Sequence, residues 1–299
     1  MISKSEFIAR VKSEIFPKLD EKKFQHLKVW RNICLVLNFF LMFFLFLKIQ
    51  ESYGGFFFFS IFFPIFILAF FDGVELQKKS KTKKELFKML DLPQTDFYRF
   101  SLENDDYYSE KAEKIIEEKN NVFKKSALFK ENLKKAFFSY DDVLPFNSEM
   151  ACFEAEIRIP GGRNHNTFFK GLFIEIKQNQ FYKEPIVFVK KGIFNSRKGL
   201  KKVQLRVSDK YFDIYSNDLS TAQSLYHQQV ASKLLRIKED FNIRKVEASF
   251  YQDKLFIALY TNKNLFEPIK KRFLDIKQYE VFYDEIADIE KYCEQFSGL

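Results

Sequence analysis

Hydrophobic positions follow two regimes along the chain. Near the amino end they are continuous. From about Glu149 onward they alternate with polar residues. The first continuous run is Ile33 to Leu47, extended by Val29, Trp30 and Ile49. The second is Gly54 to Phe71, eighteen residues without a charge. As a helix the second run is about 27 Å long, against about 30 Å of membrane hydrocarbon. The pattern predicts two transmembrane helices, about 29–49 and 54–71, turned back as an antiparallel hairpin by the linker KIQESYGG. Asn38 and Pro64 interrupt the runs without adding charge, which favours an anchor over a pore. Ahead of the runs, Phe7, Val11 and Ile15 share one helical face with Ile8 beside them. That face either lies on a membrane surface or packs against the folded domain.

Residues 109–138 are rich in helix formers with alternating charge, the pattern of a solvated helix, with Asn120–Asn121 as a break. Beyond Glu149 the period becomes two. Strands are expected at 152–159, 168–176, 185–190, 201–207 and 210–216, with PGGRNHN at 160–166 as a turn. A helix follows from a cap at Asp218 or Ser220, placing Ala222, Tyr226, Val230 and Leu234 on one face. RKVEASFY and KLFIALY form the clearest hairpin, turning at Gln252–Asp253. A last helix over about 271–296 carries Ile276, Tyr279, Tyr283, Ile286 and Phe296 at helical spacing. Strands that cluster, instead of alternating with helices, indicate α+β with a mainly antiparallel sheet. The expected architecture is a two-helix transmembrane hairpin followed by an α+β cytoplasmic domain. Its parts are a basic segment at 1–28, the spans at 29–73, a basic helical connector at 74–139 and the domain at 140–299.

Charge sharpens the topology. The net charge of +9 divides into +4 over residues 1–32, −2 over 33–75 and +5 over 76–88, leaving +2 for the rest. The basic excess therefore flanks the apolar runs at Lys78, Lys79, Lys81, Lys83, Lys84 and Lys88. By the positive-inside rule both termini are cytoplasmic. Those lysines also suit anionic lipid, at about 1 kcal/mol each near the surface. A nearly neutral folded part argues against nucleic acid as a partner. Phe is used 40 times in 299 residues, fourteen of them between Phe39 and Phe71, so lipid contact explains the excess.

No nucleotide-binding, zinc-protease, hydrolase or calcium-loop motif occurs. The histidines His26, His165 and His227 are isolated, and so are the cysteines Cys34, Cys152 and Cys293. The sparse, odd cysteine count fits a reducing compartment. Gly161–Gly162–Arg163–Asn164 reads as a hairpin turn before it reads as an anion nest. The Asp pairs at 105–106 and 141–142 lack calcium-loop spacing. No catalytic residue, metal ligand or cofactor is expected.

Four stretches carry a resemblance: FKGLFIEI at 169–176, YFDIYSND ahead of Ala222, SFYQDKLFIALY at 249–260 and LFEP at 265–268. In order and spacing, from about Ser126 to the carboxyl end, they resemble an uncharacterised bacterial membrane-protein family, domain of unknown function 3137. The resemblance marks Phe169, Lys170, Gly171, Phe173, Tyr215, Ser216, Ser249, Phe250, Phe266, Glu267 and Pro268 as positions of unassigned role. Family members often have a basic residue after the alanine equivalent to Ala222, and this chain has Gln223. The resemblance implies a bacterial source and a membrane location, and no reaction. The resulting expectation is a multi-pass protein of the bacterial inner membrane. Its cytoplasmic domain binds a protein or a ligand. The partners are the lipid bilayer, another membrane-associated protein, or a second copy of the chain. The alternatives are an enzyme acting on a lipid or membrane-bound substrate and a hairpin oligomer that forms a pore.

Overall fold

The computed structural model describes residues 1–19, 29–37, 40, 73–74, 77–92, 117, 120–129, 136–161, 164–192, 197, 199–205, 209–263, 265–267 and 274–297. Most of the first apolar run and all of the second lie outside them. Among the described residues no helix is long and apolar enough to cross a membrane. This overturns the expected transmembrane hairpin, and with it the multi-pass inner-membrane location. The longest described helix, Ile276–Phe296, fails on charge. The long carboxyl-terminal helix carries charges along its whole length, from Lys277 to Glu294. Val29, Trp30, Ile33, Val36, Leu37 and Phe40 are exposed.

The chain divides into two compact units. One comprises Leu92–Phe266 and Asp284–Leu299, with Met1. Its sheet has β1 (Phe137–Pro145), β2 (Met150–Gly161), β3 (Asn164–Lys190), β4 (Lys201–Lys202), β5 (Phe212–Ser216) and β6 (Lys245–Tyr260). The strand order is β1-β2-β3-β5-β4, with β6 on β3, and every pairing is antiparallel. The α+β reading with an antiparallel sheet therefore stands. β1 was not anticipated, because the expected helix ran through Phe137 and Phe138. Asn120 and Asn121 are themselves helical. Asp141–Asp142 falls in the bulge between Tyr140 and Val143. β2 runs to Gly161 and β3 starts at Asn164, so strand occupies most of the expected 160–166 turn. The 201–207 strand shrinks to two residues.

β6 doubles back. Its 16 residues would span about 50 Å if straight. Yet the Arg244 N–H donates to the Tyr260 carbonyl at 3.2 Å. Gln252 takes φ 57° where the chain reverses, so the hairpin expected at Gln252–Asp253 is present. β3 follows it around. Gly171–Lys177 pairs with Lys254–Tyr260, and Tyr182–Phe188 pairs with Ala248–Gln252. The β6 hairpin thus lies within the two arms of β3. β2 flanks the first arm and β5 the second.

On one sheet face Phe123 anchors an aromatic cluster. Its ring lies 4.3 Å from Phe173 and 5.6 Å from Phe153. Val187, Val189, Tyr215, Phe256, Ala258 and Tyr260 join the same core. The helices are α2 (Leu219–His227), α3 (Val230–Asp240) and α4 (Ile276–Phe296). The single helix expected over 219–241 is two, because Gln229 turns left-handed at φ 61°. Asp218 caps α2 by accepting from the Thr221 N–H at 3.1 Å, as expected. Lys233 ties α3 to the end of α4 by donating to the Gln295 carbonyl at 2.8 Å.

The second unit comprises Ile2–Asp91 and Glu267–Tyr283, so it takes in the first turns of α4. α1 (Lys4–Arg10) continues as a π turn over Val11–Ile15. Phe7, Val11 and Ile15 are buried. Phe7 packs 5.5 Å from Tyr283, Phe16 lies edge-on to Tyr279 at 5.7 Å, and the Tyr283 hydroxyl donates to the Ile2 carbonyl at 2.6 Å. The apolar face of α1 is therefore a packing face. The helical stretch 77–89 buries Leu86, Phe87 and Met89 in this unit.

Candidate functional site

A charged side chain within a buried strand needs partners, because desolvation of an isolated carboxylate is costly. β6 carries one at Glu247, which is 3% exposed. Lys245 Nζ lies 3.0 Å and Arg197 Nη2 3.5 Å from its Oε1. The Tyr260 hydroxyl donates to its Oε2 at 2.9 Å. Lys245 also sits 4.2 Å over the Tyr260 ring, a cation–π contact. Burial and the adjacent Glu247 carboxylate push the Tyr260 hydroxyl well above the phenol range. Tyr260 is therefore a fixed hydrogen-bond donor at neutral pH.

Asp213 on β5 is buried too, and Lys202 of β4 meets its Oδ1 at 2.6 Å. Burial, then the Asp213 charge, raises the Tyr215 hydroxyl. Glu247 is thus matched by Lys245 of its own strand and by Arg197, and Asp213 by Lys202 of β4.

A cleft of about 190 Å³ opens where β2, the first arm of β3 and the end of β6 meet. Gly171 makes it possible. At φ 148°, a Cβ there would run into the Leu259 carbonyl oxygen and lie 2.9 Å from the Thr261 nitrogen. The strands approach closely only because that atom is missing. The Thr261 N–H then donates to the Lys170 carbonyl at 3.0 Å. Glu154 and Glu156 enter from β2, Lys170 from β3, and Lys263 from the segment after β6. The Arg158 guanidinium, bound at 2.9 and 3.0 Å, holds the Glu156 carboxyl below the usual range, helped by Thr167. Glu154 accepts from the Leu265 N–H at 2.8 Å.

The residues singled out in the sequence separate into distinct places. Lys170 and Gly171 build the cleft. Phe169, Phe173 and Tyr215 belong to the aromatic core, and Phe169 lies edge-on to Tyr260 at 5.0 Å. Phe250 packs 5.3 Å from Tyr182, and Phe266 is fully buried. Ser216 accepts from the Asp218 N–H at 3.0 Å, and Ser249 is buried. Glu267 lies in the second unit, 4.0 Å from Lys83, and Pro268 is outside the described residues. Lys78, Lys79, Lys81, Lys83, Lys84 and Lys88 all lie on the helical stretch 77–89, with Lys81 and Lys88 exposed.

Glu247, Arg197, Tyr260, Glu154 and Lys263 were not anticipated. One signal was present: Glu247 is the one acidic residue in the first arm of β6, set between Val246 and Ala248. Nothing local pairs it with Tyr260, 13 residues away. Among the described residues no group of three or more His, Cys, Asp or Glu side chains is placed to hold a metal ion.

Comparison with known proteins adds a family and little else. No curated protein matches the chain. The crystal structure of the mycobacterial trehalose monomycolate transport factor A, TtfA, aligns over 54% of this chain and 90% of its own, at 9% identity and a TM-score of 0.26. That similarity is too low to carry an argument. The family model described as "Protein of unknown function (DUF3137)" matches residues 167–297. It takes in both arms of β3, the β6 hairpin and the three helices beside them. Residues 167–297 are therefore a domain of unknown function 3137, the family the four sequence stretches resemble.

Proposed function

We propose that this chain is a binding module whose cleft beside Gly171 takes a group carrying both a positive and a negative charge. That group belongs to a small zwitterion or to a protein segment. One observation supports the reading: Glu154 and Glu156 face Lys170 and Lys263 around about 190 Å³. Carboxylates accept from a ligand ammonium, and lysines donate to a ligand carboxylate. The volume is below the roughly 300 Å³ of drug-sized pockets, so it suits a head group or a side-chain pair. The cleft is held by strand backbones and the Gly171 approach, which keeps its charges in place before binding.

The test is calorimetric titration of the full chain with dipeptides and with their amino-acetylated and carboxyl-amidated forms. Free dipeptides bind best, and blocking either end weakens them. Lys170→Ala removes the preference for a free carboxylate, and Glu156→Gln weakens the preference for a free amine. Equal binding of blocked and free forms, or none at all, overturns the reading.

A further inference from the structure

A second cleft, of about 120 Å³, lies at the opposite arm of β3 and shares no lining residue with the first. Lys190 ends β3 and Lys191 follows it, Lys210 precedes β5, Lys238 stands in the last turn of α3, and Lys245 opens β6. All five line it. The remaining lining is Tyr211, Phe212, Leu235 and Val246, so no acidic residue is among the described residues that line it. Phe212 and Val246 are buried, which makes the floor apolar.

Like charges gathered around a small space repel one another, and that cost falls when a counter-charge enters. Groups outside the lining temper part of that cost. Lys245 reaches Glu247 at 3.0 Å. Lys191 donates to the Asp209 carbonyl at 3.0 Å. The Asp209 carboxylate accepts from the Tyr211 and Phe212 N–H groups, both at 2.7 Å. Lys210 lies 5.4 Å from the Tyr211 ring centroid. The outcome is a cationic rim over an apolar base, joined to the Glu247 cluster through Lys245.

We infer that this cleft is a binding site for an organic phosphate whose anionic group meets the lysine rim and whose apolar substituent rests on Phe212, Leu235 and Val246. The inference is independent of the zwitterion reading, because the two clefts have different residues, one with acids and lysines together and the other with lysines alone. The volume takes the phosphate and the first atoms of its substituent, and the rest of the ligand extends outward. The phosphate carries most of the salt-sensitive attraction, and the substituent adds the distinction from inorganic phosphate.

The full chain is titrated with inorganic phosphate, phenyl phosphate and a short-chain phosphatidic acid kept below its micellar concentration. At least one organic phosphate binds about tenfold tighter than inorganic phosphate. Which of the two is preferred separates a soluble phosphate from a lipid one. A Lys190→Ala, Lys238→Ala double variant weakens that binding about tenfold, while Lys238→Arg keeps it. Lys81→Ala, which changes a lysine of the other unit, leaves it unchanged. Thermal melts of each variant confirm that the fold is kept. Organic phosphates that bind no better than inorganic phosphate, or binding that the double variant leaves intact, overturn the inference.

Discussion

The Tyr260 hydroxyl donates to Glu247 at 2.9 Å, across a hairpin whose turn lies midway between them. That bond closes the open end of β6 on the buried face, where Glu247 has few other ways to satisfy its second oxygen. Tyr260→Phe keeps the ring, its edge contact with Phe169 and its fit in the core. It removes only the donor. A buried charged acceptor that loses one hydrogen bond costs about 1–3 kcal/mol. Urea denaturation checks this: the midpoint falls while its slope is unchanged.

The same bond sets a dependence on alkaline pH. Burial and Glu247 hold the Tyr260 proton in the folded state, so its folded pKa lies above the unfolded value of about 10. A group with a raised folded pKa contributes fully below the unfolded pKa and loses that contribution as pH rises beyond it. The wild type therefore loses up to about 1.4 kcal/mol per pH unit above pH 10 from this group. Tyr260→Phe lacks that loss. The stability gap between the two proteins narrows from pH 9 to pH 11, which denaturation at a series of pH values measures. A gap that widens would contradict the assignment.

Gly171 is the position where the sheet tolerates least. An added methyl meets the Leu259 carbonyl, held by strand pairing, and the Thr261 nitrogen, held by its hydrogen bond to Lys170, so neither steps aside. The φ of 148° adds strain for any L side chain. Gly171→Ala should cost about 3 kcal/mol or more, since overpacking and backbone strain add. The measurement is again a denaturation midpoint, with Gly199→Ala as comparison, because nothing lies within 4 Å of a Cβ there.

How much of this was legible follows from the range of each interaction. The period-two alternation gave the strands of β2, β3 and β5, and the Gln252–Asp253 turn was readable because two apolar runs flank it directly. The Asp218 cap was readable for the same local reason. β1 was hidden by Lys134, Lys135 and Ala136, which favour helix by propensity while Phe137 and Phe138 are claimed by partner strand and core. The split at Gln229 was hidden because glutamine gives no sign of a left-handed turn. The membrane hairpin rested on the length and hydropathy of two runs and on the lysines that flank them; the runs lie mostly outside the described residues, and no described helix meets the length and charge requirement. Of the cleft, only Lys170 and Gly171 were marked. The residues that face them, Glu154, Glu156 and Lys263, come together through strand pairing that local pattern does not encode.

Gln252 offers a stabilising change. It holds φ 57° at the β6 turn without being glycine. A left-handed conformation costs an ordinary residue about 1–2 kcal/mol, while glycine gives back about 0.5–1 kcal/mol in chain entropy. Gln252→Gly should therefore stabilise by roughly 0.5 kcal/mol, the difference between those two terms. A small rise in denaturation midpoint is expected. A fall would show that the Gln252 side chain has a role beyond the turn.

The Arg197–Glu247 pair separates stability from specificity. Both side chains are almost fully buried, at 9% and 5% exposure, and sit 3.5 Å apart. Removing one partner strands a charge in a low-dielectric site, at about 3–5 kcal/mol. Glu247→Leu leaves Arg197 and Lys245 facing each other without a carboxylate, so it should show the larger loss. Arg197→Met leaves Glu247 with Lys245 and Tyr260 and should cost less. If the pair is held for its charge complementarity, the double variant recovers part of the sum, with a coupling of about 1–3 kcal/mol in a double-mutant cycle. Additive losses would mean that Lys245 and Tyr260 alone satisfy Glu247, and that Arg197 fixes the segment after β3 instead. The cycle decides between the two, because only a direct pair makes the second substitution cheaper once the first is in place.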